Sequence, residues 1–357
     1  MTYPSSPWQR RRFLQWSSLL VGSGLISACR QAPQAPPKTD KDLEPVTLGL
    51  GWKAEAEYGG FYQALAQGIY RDYGLDVTID ATPPQTNITQ LLMGGLVTFS
   101  LGTAIDSLKS VQQGVPKVSL ASIFQDDIQI LLAHPDVGVE SLADLKGKPI
   151  FVSASANNTY WPLLKAKYGF TDDQKRPYNF NISPFLVDKN SAQQGLLTSE
   201  PYLIAKQGGF KPVVLRLTEA GYNQYLCTID TTRDRLEKQP DLVKRFVEAS
   251  IKGWYQYLEN PQLGNQAIKT ANPEMTQDLI DYGLTTLKNE KIILGGEAQK
   301  LGIGAMGDRR WQEIYERLRD VGIFPKDLDY RQAYTLDFVN QGHRYDQTPQ
   351  PAGSPTP

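Results

Sequence analysis

From Val46 onward, short apolar runs suited to strands alternate with longer segments whose apolar residues recur at helical spacing. Val46–Leu50 reads as a strand, and Tyr58–Tyr73 as a helix with Phe61, Leu65 and Ile69 four residues apart. Gly74 closes that helix, and Leu75–Ile79 is the next strand. Asn87–Met93 and Ala104–Gln113 read as helices, while Phe99–Leu101, Lys117–Ile123 and Ile128–Ala133 read as strands. A second set follows: a short helix at Leu142–Leu145, a strand at Pro149–Ser153, a helix at Asn158–Tyr168, an extended Asn181–Phe185, a helix at Ala192–Leu197, and strands at Val213–Leu217 and Tyr225–Ile229. Beyond Arg233 the chain turns helical over 236–258 (restarting at Pro240), 265–270, 275–288, 309–321 and 330–338. Alternation of this kind predicts an α/β fold with a largely parallel sheet. Two such sets and a helical return predict two lobes, the return completing the first, with a ligand cleft where strand-end loops converge.

Composition narrows the chemistry. Thirty-seven basic residues against 38 acidic ones leave no cationic field for nucleic acid. With two histidines, His134 and His343, and two cysteines, a metal site built on His and Cys clusters is excluded, and no cofactor is expected. Neither histidine lies in a nucleophile or base motif, so a Ser-His-Asp triad has no support.

The two ends differ from the body. Arg10, Arg11 and Arg12 precede an apolar stretch over 13–28 that is too short to cross a bilayer, and the stretch ends Ile26-Ser27-Ala28-Cys29. Residues 1–29 therefore read as a signal peptide. Arg10-Arg11-Arg12-Phe13-Leu14 resembles the twin-arginine export motif, and the end resembles a lipobox whose Cys29 receives a lipid. Residues 30–45 are rich in Pro and Ala and read as a flexible tether, and 346–357 as a disordered tail. Lipidation of Cys29 leaves Cys227 alone, with no internal disulfide.

Trp52, the run Glu57-Tyr58-Gly59-Gly60-Phe61-Tyr62-Gln63-Ala64, and Tyr73-Gly74-Leu75-Asp76-Val77 carry a likeness that continues in order to about Gly342. Later parts include Leu142-Ala143-Asp144-Leu145-Lys146-Gly147, Thr198-Ser199-Glu200-Pro201 and Leu301-Gly302-Ile303-Gly304. The chain resembles periplasmic substrate-binding proteins of ABC importers, in the pyrimidine-precursor subgroup related to thiamine-pyrimidine synthases. The resemblance implies a type II periplasmic binding-protein fold with two α/β lobes, a hinge and a central cleft. Lobe one maps to 46–128 plus 225–343 and lobe two to 129–224. With the lipobox at Cys29, the expectation is a lipid-anchored monomer on the periplasmic side of a membrane. Such a protein would deliver a small heterocycle, a thiamine pyrimidine precursor or similar aromatic, to a permease and its ATPase. The alternative is a synthase. Those relatives consume their own histidine and use a cysteine-rich motif with iron; Asp106 stands at the histidine position, and Cys227 is a lone cysteine.

Candidate ligand residues lie on the predicted strand-end loops. Trp52, with Tyr58 and Tyr62, either stacks on a flat ring or packs under the first helix. Thr103 and Asp106 sit at a helix entry, where they cap the helix or meet a ligand. Ser153, Ser155 and Asn157 form a similar polar entry after the lobe-two strand. Glu200 offers a carboxylate for the donor edge of an aminopyrimidine, or stays solvated at a helix end. Asn87, Gln125, Asp126, Tyr222 and Tyr225 lie on further cleft loops. The acids Glu57, Asp106 and Glu200 outnumber cationic candidates, of which Lys189 is the main one, and this favours a neutral or weakly cationic ring.

Overall fold

The computed structural model describes residues 43–83 and 86–344. Cys29, the tether up to residue 42 and the 346–357 tail lie outside the described residues. Ten strands among the described residues form two five-stranded sheets. The first has the order β2-β1-β3-β10-β4, from Leu75–Asp80, Glu44–Gly49, Phe99–Thr103, Leu226–Thr232 and Lys117–Phe124. The second has the order β7-β6-β8-β5-β9, from Lys175–Pro177, Ile150–Val152, Ala192–Leu196, Gln129–Ala133 and Val213–Arg216.

The expectation of a largely parallel arrangement holds only in part. β1 runs parallel to β2 and β3, and β6 parallel to β7 and β8, but β10 is antiparallel to both its neighbours and so is β5. β5 and β10 are the two strands that arrive from the other sheet, so each enters its sheet from the opposite end. The segments between β4 and β5 and between β9 and β10 are the crossovers.

Local choices explain several differences from the sequence reading. Ala192–Leu197, expected as a helix, is β8, central between β6 and β5. A Cβ on Gly195 would lie 2.8 Å from Glu200 Cβ and 2.9 Å from Leu132 Cδ1, so position 195 has no room for a side chain, and pairing with both neighbours overrides the helical reading. Asn181–Phe185, expected as extended, enters a helix at Ser183–Val187 with Pro184 in its first turn. The single helix expected over 58–73 breaks at Gly68, whose φ of 74° ends one turn and starts the next. At 330–338 only Tyr330–Ala333 is helical; the chain then bridges β4 through Tyr334 and Ser119.

Helix Gly59–Ala66 packs hard against helix Pro240–Glu259. A Cβ on Gly59 would meet the Tyr257 ring at 2.0 Å, and one on Gly60 the Trp254 ring at 2.2 Å. The paired glycines are therefore a close-approach device, and they hold the loop carrying Trp52 and Glu57 against the body. Two apolar clusters fill the molecule, and neither belongs to one sheet alone. One joins Leu48 and Phe99 of the first sheet to Ile130, Leu132, Phe185 and Ile204 around the second. The other joins Ile105, Leu108 and Trp311 to Leu131 and Trp161. Between β4 and β10, Lys117 and Asp230 form an ion pair of 2.9 Å that is 1% and 0% exposed, with Ser119 donating to the same carboxylate at 2.8 Å. Burial raises the Asp230 pKa, against the opposing pull of Lys117.

Candidate functional site

Loops at the strand ends of both sheets meet in two groups of side chains. The first is aromatic and acidic. Trp52 follows β1, and its ring lies edge-to-face with Phe180, centroids 4.8 Å apart. Phe180 lies 5.4 Å from Tyr178, whose hydroxyl donates to Glu200 at 3.2 Å. Glu200 also accepts from the Leu196 amide at 2.7 Å and the Ser199 hydroxyl at 2.6 Å. Across the sheets, Thr198 donates its hydroxyl to buried Glu57. Glu55 takes a hydrogen bond from Trp52, and its pKa is raised well above the carboxylate range by burial and then by the charges of Glu57 and Glu200. Glu57 is raised too, chiefly by burial. The Tyr58 hydroxyl pKa is pushed up by burial, then by Cys227, Glu55 and Glu57. Three carboxyls thus converge, with Lys53 the cation that acts on Glu55, and Lys53 is itself committed to Glu274 at 2.8 Å.

Backbone strain marks the same place. Phe180 has φ 60° and Cys227 φ 55°, a left-handed conformation that is uncommon for bulky residues. Cys227 sits on an irregularity in β10 where the register shifts between Leu226 and Thr228. Its thiol is buried and raised in pKa, mainly by desolvation, which makes it a poor nucleophile.

The second group is built of amides and hydroxyls. Thr103 caps helix Ala104–Gln112 by accepting from the Asp106 amide at 3.1 Å. Gln224 accepts from the Ile105 amide at 3.0 Å and donates to Asp127 at 2.9 Å and to the Tyr222 hydroxyl at 3.1 Å. Asn223 donates to Asp126 at 2.7 Å and accepts from the Asp127 amide at 3.0 Å, and Arg310 reaches Asp126 at 3.4 Å. Burial lifts the Asp127 pKa to about 6, held back by hydrogen bonds from Gln129 and Gln224. On the second sheet, Gln194 accepts from the Ser153 amide and from the Tyr160 hydroxyl at 2.9 Å, and the Ser153 and Ser155 hydroxyls are 2.8 Å apart. Tyr160 and Tyr222 meet edge-to-face at 5.8 Å.

The structure brings Trp52, Tyr58 and Glu200 to the first group, and Thr103, Asp106, Ser153, Ser155 and Tyr222 to the second. Other expected positions are built into the scaffold. Tyr225 is fully buried; its hydroxyl joins Glu297 and the Gly307 amide, and Arg310 lies over its ring at 5.1 Å. Gln125 is fully buried and donates to Ala305 O at 2.9 Å. Asn87 caps helix Ile88–Met93 through the Gln90 amide. Asn157 is exposed and tied to Lys175 at 2.6 Å. Tyr62 is buried on its helix, its hydroxyl without a partner among the described residues. Lys189 is exposed on a turn. Glu55, Tyr178, Phe180, Gln194 and Gln224 escaped the sequence reading. Glu55 was the most legible of them, two residues before Glu57 on the same strand-end loop. Among the described residues, no three His, Cys, Asp or Glu side chains are placed to hold a metal ion, the three carboxyls included.

This fold is that of periplasmic binding proteins. The chain aligns with the periplasmic aliphatic sulphonate binding protein SsuA of Escherichia coli at a TM-score of 0.58 and 14% identity, covering 88% of this chain and 97% of that one. Residues 55–263 carry the pattern of the NMT1/THI5-like family, and the chain belongs to that family. It is 25% identical to a riboflavin-binding protein, RibY, of Chloroflexus aurantiacus, over 89% of this chain and 95% of that protein. It is 23% identical to a formylaminopyrimidine-binding protein of Halalkalibacterium halodurans, over 83% and 90%. It is also 25% identical to a 4-amino-5-hydroxymethyl-2-methylpyrimidine phosphate synthase of Saccharomyces cerevisiae, over 64% and 73%.

Proposed function

We propose that this protein captures a small, flat heterocycle in the cleft between its lobes and delivers it to the permease and ATPase of an ABC importer. The reading includes export by the twin-arginine route and a lipid anchor at Cys29 on the periplasmic side. The observation that carries it is the convergence of Trp52, Phe180 and Tyr178 with Glu55, Glu57 and Glu200 from both sheets. The Trp52 ring supplies a stacking face. A carboxyl kept protonated by burial donates a hydrogen bond, and an ionised one accepts. Together they suit a ring edge that presents an acceptor next to a donor. Aminopyrimidines and the pyrimidine ring of a flavin share that edge, which makes one chemistry of the two ligands named for the binding-protein relatives. Three carboxyls disfavour sulfonates and phosphates.

Thermal melting and tryptophan fluorescence test the proposal, with riboflavin, formylaminopyrimidine and an alkanesulfonate as probes. Expected is a rise in Tm and a quench with at least one heterocycle, abolished in Trp52→Ala, and no response to the sulfonate. A sulfonate response with no heterocycle response overturns it. The yeast relative's name keeps a synthase in view; its test is product formation with iron and pyridoxal phosphate. Asp106 at the histidine position and the buried, unreactive Cys227 favour capture.

A further inference from the structure

We infer that Phe180 is an internal stand-in for the ligand ring: it occupies the aromatic slot against Trp52 and must swing out before a heterocycle can enter. The inference rests on the capture reading above and deepens it. A ring inserted between two others needs their centroids about 7 Å apart, twice a stacking distance. Trp52 and Phe180 are 4.8 Å apart and nearly perpendicular, at 79°, so no third ring fits between them as they stand.

The loop is built for such a movement. Its two ends are fixed: Tyr178 is buried and held by Glu200, and Ile182 is buried in the apolar cluster under helix Ser183–Val187. Between them, Asn179 and Asn181 are exposed and Phe180 is half-buried. Phe180 holds its ring inward at a φ of 60°, a conformation that costs a bulky residue on the order of 1 kcal/mol or more. Contact with Trp52 offsets that strain while the slot has no ligand. A ligand that takes over Trp52 removes that contact and leaves the strain opposed only by the Tyr178 ring, 5.4 Å away, which tips the balance toward an outward Phe180. The loop therefore has two states, and the ligand shifts the balance between them by its own contacts with Trp52.

Two measurements on the full chain decide the matter. The first needs no ligand: acrylamide quenching of the Trp52 signal, taken as the difference between wild type and Trp52→Phe, is compared with the same difference in a Phe180→Ala background. Uncovering Trp52 should raise its quenching constant at least twofold; an unchanged constant overturns the inference. The second is stopped-flow association with riboflavin and with formylaminopyrimidine. Phe180→Ala should speed association about two- to tenfold, the factor an aromatic pair supplies, with little change in dissociation. Phe180→Leu, which keeps most of the bulk, should stay near the wild-type rate. Unchanged association with dissociation accelerated tenfold would make Phe180 a wall of the bound state and overturn the inference. If neither probe binds either form, the capture reading falls, and the quenching arm still decides whether Phe180 covers Trp52.

Discussion

The two groups of side chains at the strand ends treat buried polarity in opposite ways. At the amide end, the Asp127 carboxylate accepts from the Gln129 amide at 2.8 Å and from Gln224 at 2.9 Å, and its own backbone amide donates to Asn223 at 3.0 Å. At the aromatic end, Glu55 faces Glu57 and Glu200, and two residues are held at positive φ. A network whose members satisfy one another belongs to the scaffold; here it stitches the two crossovers together. A group of mutually opposed carboxyls beside two strained residues is the less settled of the two, and it is the one we propose for the ligand.

The largest effect should come from the finished end. Gln224→Ala leaves the Ile105 amide, the Asp127 carboxyl and the Tyr222 hydroxyl each short of a partner, and should cost about 3 kcal/mol in urea unfolding. A loss below about 1 kcal/mol would erase the contrast between the ends. Next, Trp52→Ala should weaken heterocycle binding about tenfold to a hundredfold in titration calorimetry. Its stability should fall by only about 1 kcal/mol, since Trp52 is half-buried and gives up the Glu55 hydrogen bond and the Phe180 contact. A third test uses pH. Glu55 has a raised folded pKa, so its stabilising contribution is complete below the ordinary carboxylate range and is lost as pH rises through the raised value. Glu55→Gln keeps the Trp52 hydrogen bond and removes that loss. Its Tm should exceed wild type by roughly 2 °C at pH 8 and match it at pH 4. Equal melting curves at both values would mean that the acids do not oppose one another. Smallest of all, Asn157→Ala should change neither stability nor binding beyond about 0.5 kcal/mol, since Asn157 is exposed and outside both groups.

Much of this was legible in the sequence, for reasons that can be located. The strands β1, β2 and β4 announce themselves as apolar runs, and Trp52 and Glu200 follow strand ends, where cleft residues belong. β8 was not legible, because Ala192-Gln193-Gln194-Gly195 has no strand pattern and becomes a strand only between two neighbours. The antiparallel entry of β5 and β10 depends on which sheet the chain has just left, and no local pattern carries that. Phe180 was invisible for a related reason: its meaning lies in Trp52, which reaches it from the other sheet. Thr103 and Tyr225 look alike in sequence as polar groups at element ends. One caps a helix by accepting from the Asp106 amide, while the other is pinned by Glu297 and Gly307.

The position of β10 sets an order of events during synthesis. It lies between β3 and β4, so the first sheet stays split until β10 arrives, and Lys117 waits 113 residues for Asp230. The strands of the second sheet all fall within that interval and depend on no strand outside it. The inserted sheet can therefore be completed before the one it interrupts, and the last strand to join the first sheet is the one that draws the nascent halves together.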